Sequence, residues 1–123
     1  MITGVVTPDR EALIRLVVRG PSGQERHIDA VVDTGFDGWL SLPPEVIAQV
    51  GLPWRRRGRA LLADGSESIF DMYEATVLWD QIPRRMVVDE ASTAPLVGMA
   101  LLSGYELNIQ VRIGGQVTIK ALP

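Results

Sequence analysis

The carboxyl groups of this chain determine the chemistry open to it. Its 123 residues include no cysteine and a single histidine, His27. This composition excludes a thiol nucleophile, a cysteine-ligated metal site and a zinc site built on two histidines of one chain. A Ser-His-Asp triad would have to use His27, which lies in a predicted strand, so we assign His27 no catalytic role. The 15 aspartates and glutamates leave general acid–base catalysis by carboxyl groups as the main hydrolytic chemistry.

Asp33 is the first candidate among these carboxyl groups. It follows the apolar run Ala30-Val31-Val32 and precedes Thr34-Gly35, so it stands where a predicted strand ends. The tripeptide alone is a weak signal, because an aspartate here is also typical of a turn, in which its side chain accepts hydrogen bonds from the backbone ahead. On the tripeptide alone, the turn is the favoured interpretation.

A second segment changes this balance. Leu96-Val97 leads into Gly98, which stands 65 positions after Asp33 and is followed by the helix-prone run Met99–Leu102. Between the two segments lies a predicted hairpin with a polar tip at Ala63-Asp64-Gly65-Ser66. The chain therefore contains three features in order. The first is an apolar strand that leads into Asp-Thr-Gly, the second is a hairpin, and the third is an apolar strand that leads into a glycine and a helix.

Short strands separated by turns account for most of the remaining chain. A short helix is predicted from Pro43-Pro44 to Gly51, because proline is tolerated at a helix start and glycine commonly ends a helix. With about eight strands and one or two short helices, we expect one mostly β domain over residues 1–123, a small closed antiparallel barrel. Turn signals predict three hairpins, which join residues 11–19 to 24–32, 55–63 to 67–79, and 105–113 to 116–122 across Gly114-Gly115.

From Glu11 to Ile109 the chain resembles the retropepsin-like aspartic proteases, the clan that contains the retroviral proteases, and most of all its short single-domain bacterial and archaeal members. The resemblance implies an acid-protease barrel in which the hairpin at about 55–79 is a mobile flap. It also implies an aspartic endopeptidase that hydrolyses peptide bonds. Two neighbouring carboxyl groups share a proton, and between them they activate a water molecule and polarise the scissile carbonyl group. The chain has one Asp-Thr-Gly, so the second carboxyl group would be Asp33 of another copy in a symmetric homodimer.

The resemblance also implies roles for individual residues. Asp33 is the catalytic residue, and Thr34, Gly35 and Gly98 support its loop. Three features depart from the family: Met99 stands where the family has an arginine that pairs with the aspartate at Asp37, the flap tip is less rich in glycine, and a further strand makes a C-terminal hairpin at about 105–122. The implied substrate-binding residues are Gly35, Phe36, Asp37, Ala63, Asp64, Gly65, Ser66 and Leu96.

Other features narrow the expected partners. The formal net charge of −3 is unlike the basic surface of most nucleic-acid-binding proteins, and the basic cluster Arg55–Arg59 is interpreted as a solvated edge strand. No apolar run approaches the roughly 20 residues of a membrane helix, and no signal peptide is visible, so a cytoplasmic protein is expected. We expect a homodimer acting on a peptide or protein, with no nucleic acid, membrane, metal or cofactor. A non-catalytic dimerisation or peptide-binding module on the same fold is the alternative.

Overall fold

The computed structural model describes all residues, 1–123. Its two helices are α1 (Pro44–Val50) and α2 (Met99–Leu102). Its ten strands are β1 (Ile2–Val6), β2 (Ala12–Arg19), β3 (Glu25–Val32), β4 (Leu40–Leu42), β5 (Trp54–Leu61), β6 (Glu67–Trp79), β7 (Ile82–Glu90), β8 (Leu96–Val97), β9 (Tyr105–Ile109) and β10 (Gln116–Ala121).

Six of the strands close into a barrel. β2, β3, β8, β4, β7 and β6 are neighbours in that order, and the pairing of β6 with β2 completes the ring. Four of the six pairings are antiparallel, whereas β3 pairs with β8 and β4 pairs with β7 in parallel. The predicted mostly β class, the small closed barrel and the short helices are confirmed. The two parallel pairings were not predicted, because parallel pairs join strands that are distant in sequence and leave no hairpin signal.

Side chains alternate in direction along the short strands, so one set faces the barrel interior and the other faces the surface that carries the candidate site. Leu40, Val88 and Val97 lie opposite one another on β4, β7 and β8, and their side chains are fully buried in the core. Successive side chains of a strand point to opposite faces. The next row, Ser41, Asp89 and Leu96, therefore points away from this core.

Four strands extend the sheet beyond the barrel, and one of them, β5, pairs with β6. β1 pairs with β2 and β10, and β9 pairs with β10, so the outer edge of β9 has no partner in the chain. β1 was not predicted because Gly4 interrupts its apolar pattern. The structure shows why glycine stands there, since an added Cβ would lie 2.1 Å from the carbonyl oxygen of Leu13.

The predicted strand over residues 105–113 is too long. β9 ends at Ile109, and Val111 and Ile113 are 73% and 65% exposed. The predicted two-residue turn at Gly114-Gly115 is wrong, because the chain folds back over residues 110–115 instead. Gly115 makes this possible, since a Cβ there would lie 1.9 Å from the carbonyl oxygen of Gln110.

α1 begins and ends as its sequence predicts. Pro44 is its first residue, and Gly51 follows it in the left-handed conformation at φ 69°, donating its N–H to Ile47 and Ala48. Left-handed backbone is costly for any residue but glycine, so Gly51 ends the helix at little cost. Neither α1 nor α2 has the length and apolar character needed to cross a membrane.

Candidate active site

The Asp33 loop begins where β3 ends beside β8. Val31 donates its N–H to the carbonyl oxygen of Pro95 at 2.9 Å, and Asp33 donates to that of Val97 at 2.9 Å. These bonds continue the parallel pairing of Val31 with Leu96 and of Val32 with Val97. The backbone of Asp33 is therefore held to the second apolar segment, as the order of the sequence motifs indicates.

The side chain of Asp33 also makes the turn that was the alternative interpretation. Its Oδ1 accepts a hydrogen bond from the N–H of Gly35 at 2.9 Å, and its carbonyl oxygen accepts one from Phe36 at 3.2 Å. Asp33 is half-buried and lines an open cleft. The turn thus orients the carboxyl group at the cleft. The interpretation of Asp33 as a turn residue and its interpretation as a site residue are therefore compatible.

Gly98 packs the second segment directly against the Asp33 loop. The N–H groups of Gly98, Met99 and Ala100 donate to the carbonyl oxygens of Trp39, Phe36 and Gly38, at 3.0, 2.8 and 3.1 Å. A Cβ on Gly98 would lie 2.2 Å from the carbonyl oxygen of Gly38 and 2.7 Å from the ring of Phe36. Since no real side chain tolerates such distances, only glycine allows this contact.

A cleft of about 340 Å³ opens beside Asp33. Four of its residues, Asp33, Gly35, Phe36 and Leu96, are site residues that the sequence predicted. The other six, which the sequence analysis did not assign to a site, are Ser41, Ser68, Phe70, Asp89, Glu90 and Ala91. No local motif marks these six; the register of strands distant in sequence brings them together.

The cleft runs beneath the hairpin of β5 and β6. Phe70 reaches from β6 into the cleft, and its ring covers Gly58 on β5, where a Cβ would lie 2.5 Å from the ring. Pairing is irregular near the hairpin base: Trp54 pairs with Tyr73 but Arg56 pairs with Met72, so β5 has a bulge there. The bulge decides which β5 side chains face the cleft.

The four predicted tip residues lie at the far end of this hairpin, are exposed and do not line the cleft of the single chain. The hairpin predicted around Asp64-Gly65-Ser66 is present, and its turn is displaced by one residue. Leu62 N–H donates to the carbonyl oxygen of Ser66, so the turn comprises Ala63, Asp64 and Gly65, and Gly65 has a φ of 87°. Asp64 Oδ1 accepts from the Ser66 hydroxyl at 2.6 Å and its N–H at 2.9 Å, and these bonds lower the pKa of Asp64.

The basic cluster on β5 faces carboxylates on β6. Arg55 lies 3.2 Å from Glu74, Arg57 lies 3.8 Å from Asp71, and Arg59 lies 4.0 Å from Glu67. Exposed pairs of this kind contribute little stability each. The paired, solvated strand at the edge of the sheet agrees with the interpretation made from the sequence.

Two predicted site residues point away from the cleft. Thr34 is exposed and lines an apolar groove together with Met99 and Leu107. Asp37 is exposed and lines a depression next to the cleft, which it shares with Asp89 and Arg56. Since Met99 is neutral, Asp37 has no ion pair there, and its charge acts on Asp89 instead.

Asp89 is the most perturbed carboxyl group of the cleft. Its burial raises its pKa above the usual value, and the negative charge of Asp37 raises it further, while Arg56 opposes the shift. Nowhere in the chain do three aspartate, glutamate or histidine side chains come close enough to hold a metal ion together. The carboxyl groups of the cleft are therefore spread along it rather than gathered around one point.

Known proteins resemble this chain in fold only. No protein-family model matches it, and no curated protein matches its sequence. Among solved structures it is similar to a retropepsin-like aspartic protease from Rickettsia conorii, with a TM-score of 0.61 and 16% identity over 99% of this chain and 91% of the other. It is also similar to EIAV protease in complex with the inhibitor HBY-793, with a TM-score of 0.52 and 14% identity over 77% of this chain and 88% of the other.

The chain therefore has a retropepsin-like fold, as its sequence motifs predict. Its structural neighbours are aspartic proteases, and Asp33 with its loop lies at the end of β3 in this fold. At these identities the likeness establishes the architecture alone.

Replacing Gly98 tests the contact between the two loops. We expect Gly98→Ala to lower the free energy of unfolding by about 1–3 kcal/mol or more, because its Cβ collides with backbone that cannot move freely. Gly35→Ala is the matched control, since its Cβ would meet only Asp33 Oδ1, at 3.3 Å. Urea denaturation of both variants measures the difference, and equal stabilities would contradict the proposed role of Gly98.

Asp89 gives a prediction for stability against pH. A pKa raised in the folded state means that folding favours the protonated form, so this group destabilises the protein once the pH rises through its folded-state pKa. We expect Asp89→Asn to raise Tm by a few degrees at pH 7, and the gain to disappear as the pH falls towards the unfolded value near 3.8. The exposed Glu45→Gln removes the same charge and should not stabilise. A pH-independent gain would show that the carboxyl charge is not the cause.

Proposed function

We propose that the protein is an aspartic endopeptidase whose active site forms between Asp33 of two identical chains. The observation that carries this proposal is the position of Asp33, fixed by its own turn and by the contact with Gly98 and half-exposed at the mouth of a cleft. Within one chain none of the other carboxyl groups that line this cleft lies on a braced loop of this kind. The second carboxyl group must then come from a partner.

The surface beside Asp33 supports a symmetric partner. Next to Thr34 lies the apolar groove that Met99, Leu102, Tyr105 and Leu107 line. The unpaired edge of β9 borders the same groove and offers free backbone groups to a second strand. A two-fold axis beside Asp33 would cover both features, and it would pair each surface with its own copy.

In such a dimer the chemistry needs no metal and no covalent intermediate. One Asp33, ionised, takes a proton from a water molecule as that water attacks the scissile carbonyl carbon. The other Asp33, protonated, donates a hydrogen bond to the carbonyl oxygen, which gains negative charge. The first Asp33 then passes the proton taken from water to the amide nitrogen as the C–N bond breaks, which releases an amine and a carboxylic acid. The β5–β6 hairpin above the cleft is suited to cover the bound peptide, with Phe70 and Ser68 facing it.

Replacing Asp33 tests the requirement for two carboxyl groups. We expect Asp33→Asn to lower kcat by at least about 100-fold, because the general base is lost. When equal amounts of wild-type and Asp33→Asn chains are refolded together, random pairing leaves about one quarter of the dimers with two intact aspartates. Peptidase activity should then fall to about a quarter of that of the same total amount of wild-type protein.

The matched control is a mixture with Glu45→Gln, which should keep full activity. Half of the activity remaining would mean that each chain works alone, and the shared site would be wrong. A purified dimer with intact Asp33 that cleaves no member of a broad peptide library across about pH 3 to 7 would reject the enzyme. That result would favour the peptide-binding module.

A further inference from the structure

The floor of the cleft is a row of side chains on adjacent strands. Ser41 on β4 pairs with Leu96 on one side and with Asp89 on the other. Asp89 in turn pairs with Met72 on β6. Directly paired residues point to the same face of a sheet. The register therefore places an apolar side chain, a hydroxyl group and a carboxyl group next to one another along the floor.

Two phenyl rings form the walls. Phe36 packs against Gly38 and Gly98, where an added Cβ would lie 2.5 Å and 2.7 Å from its ring, and this packing holds the ring in place. Phe70 covers Gly58 in the same way from the hairpin side. Both rings line the cleft, so a flat or extended group bound there would meet aromatic surface.

The charges that line this cleft are all negative. Asp33, Asp89 and Glu90 line it, and no lysine, arginine or histidine does. None of the three forms an ion pair within 4.0 Å. Asp89 is also partly removed from water beside Asp37, and Arg56 in the neighbouring depression opposes this effect on its pKa without reversing it. The side chains that line the cleft itself therefore carry net negative charge.

Ser41 is a second, independent sign of a polar ligand. It is the one polar residue in the buried set, at 4% exposure, and it lines the cleft between Leu96 and Asp89. Its hydroxyl makes no side-chain hydrogen bond within the chain. The hydroxyl oxygen is not itself fully buried, because Trp79 Nε1 is the one fully buried side-chain nitrogen or oxygen without a partner. The hydroxyl is therefore open to a group that enters the cleft.

We propose that the cleft binds the side chain of a basic residue of the peptide substrate, arginine above all, with Asp89 as the residue that determines this specificity. The aliphatic stem lies between Phe36 and Phe70, and the guanidinium group reaches Asp89 and the Ser41 hydroxyl. Arginine fits better than lysine, because its planar group stacks on aromatic rings and donates in several directions at once. This inference rests on the proposed function for the identity of the substrate as a peptide.

A metal ion fits these observations less well. No three carboxyl or imidazole groups come together in the chain, whereas a metal ion needs several ligands around one point. Two aromatic walls also suit an organic cation with an apolar stem. The chemistry of the cleft therefore favours a basic side chain.

The first test uses pairs of peptides that differ only in having arginine or citrulline at the position whose side chain enters the cleft. Citrulline has nearly the same shape as arginine but carries no charge. A charge-assisted hydrogen bond corresponds to about 10- to 100-fold in affinity. We expect kcat/KM for the arginine peptide to exceed that for the citrulline peptide by at least about 10-fold, and Asp89→Asn to bring the ratio close to one. Glu45→Gln, which removes an exposed carboxyl group outside the cleft, should leave the ratio unchanged.

The second test does not depend on catalysis. The Asp33→Asn protein keeps Asp89, Ser41 and both phenyl walls, so its binding of the same two peptides can be measured by fluorescence anisotropy. Tighter binding of the arginine peptide, lost on adding Asp89→Asn, supports the inference even if no peptide is cleaved. Cleavage with equal kcat/KM for the two peptides, or equal binding of both, would overturn the basic subsite while leaving the peptidase proposal intact.

Discussion

The contact between Gly98 and the loop after Asp33 is the constraint on which the rest of the structure depends. Three consecutive N–H groups from Gly98 onwards bond to carbonyl oxygens of the Phe36–Trp39 segment, and the backbones approach so closely that no Cβ fits. This contact fixes β8 between β3 and β4. It thereby closes the barrel, starts α2 and holds Asp33 at the end of its strand. One missing methyl group therefore serves the fold and the candidate site together.

The sequence predicted those parts of the candidate site whose residues lie close together in the chain. Asp33, its turn and Gly98 each lie in a short segment with its own pattern, and the hairpins and α1 carry turn and cap signals. Ser41, Phe70 and Asp89 carry no such signal, because only the closure of the barrel makes them neighbours. β1 was missed for a similar reason, since Gly4 breaks its pattern and its partners β2 and β10 supply the pairing.

The cleft combines features that oppose stability. Asp89 is partly desolvated near a like charge, and Ser41 is the one polar residue among the buried ones. A sequence selected for stability alone would place apolar residues in such a row, as it does one position away at Leu40, Val88 and Val97. Because side chains alternate along these three strands, one face lies in the core and the other lines the cleft. The cost is small because the cleft stays open to water.

The bulge at the base of β5 turns two arginines of that strand away from the acidic cleft and leaves Arg56 beside Asp89. Regular pairing onward from Trp54 and Tyr73 would set Arg57 opposite Phe70 and Arg59 opposite Ser68, both of which line the cleft. The extra residue shifts the register by one, so that Gly58 and Ala60 take those places, and Arg57 and Arg59 pair with Asp71 and Glu67 instead. Since a one-residue shift reverses every side chain of a strand, removing the bulge would turn the hairpin into an internal competitor for the site.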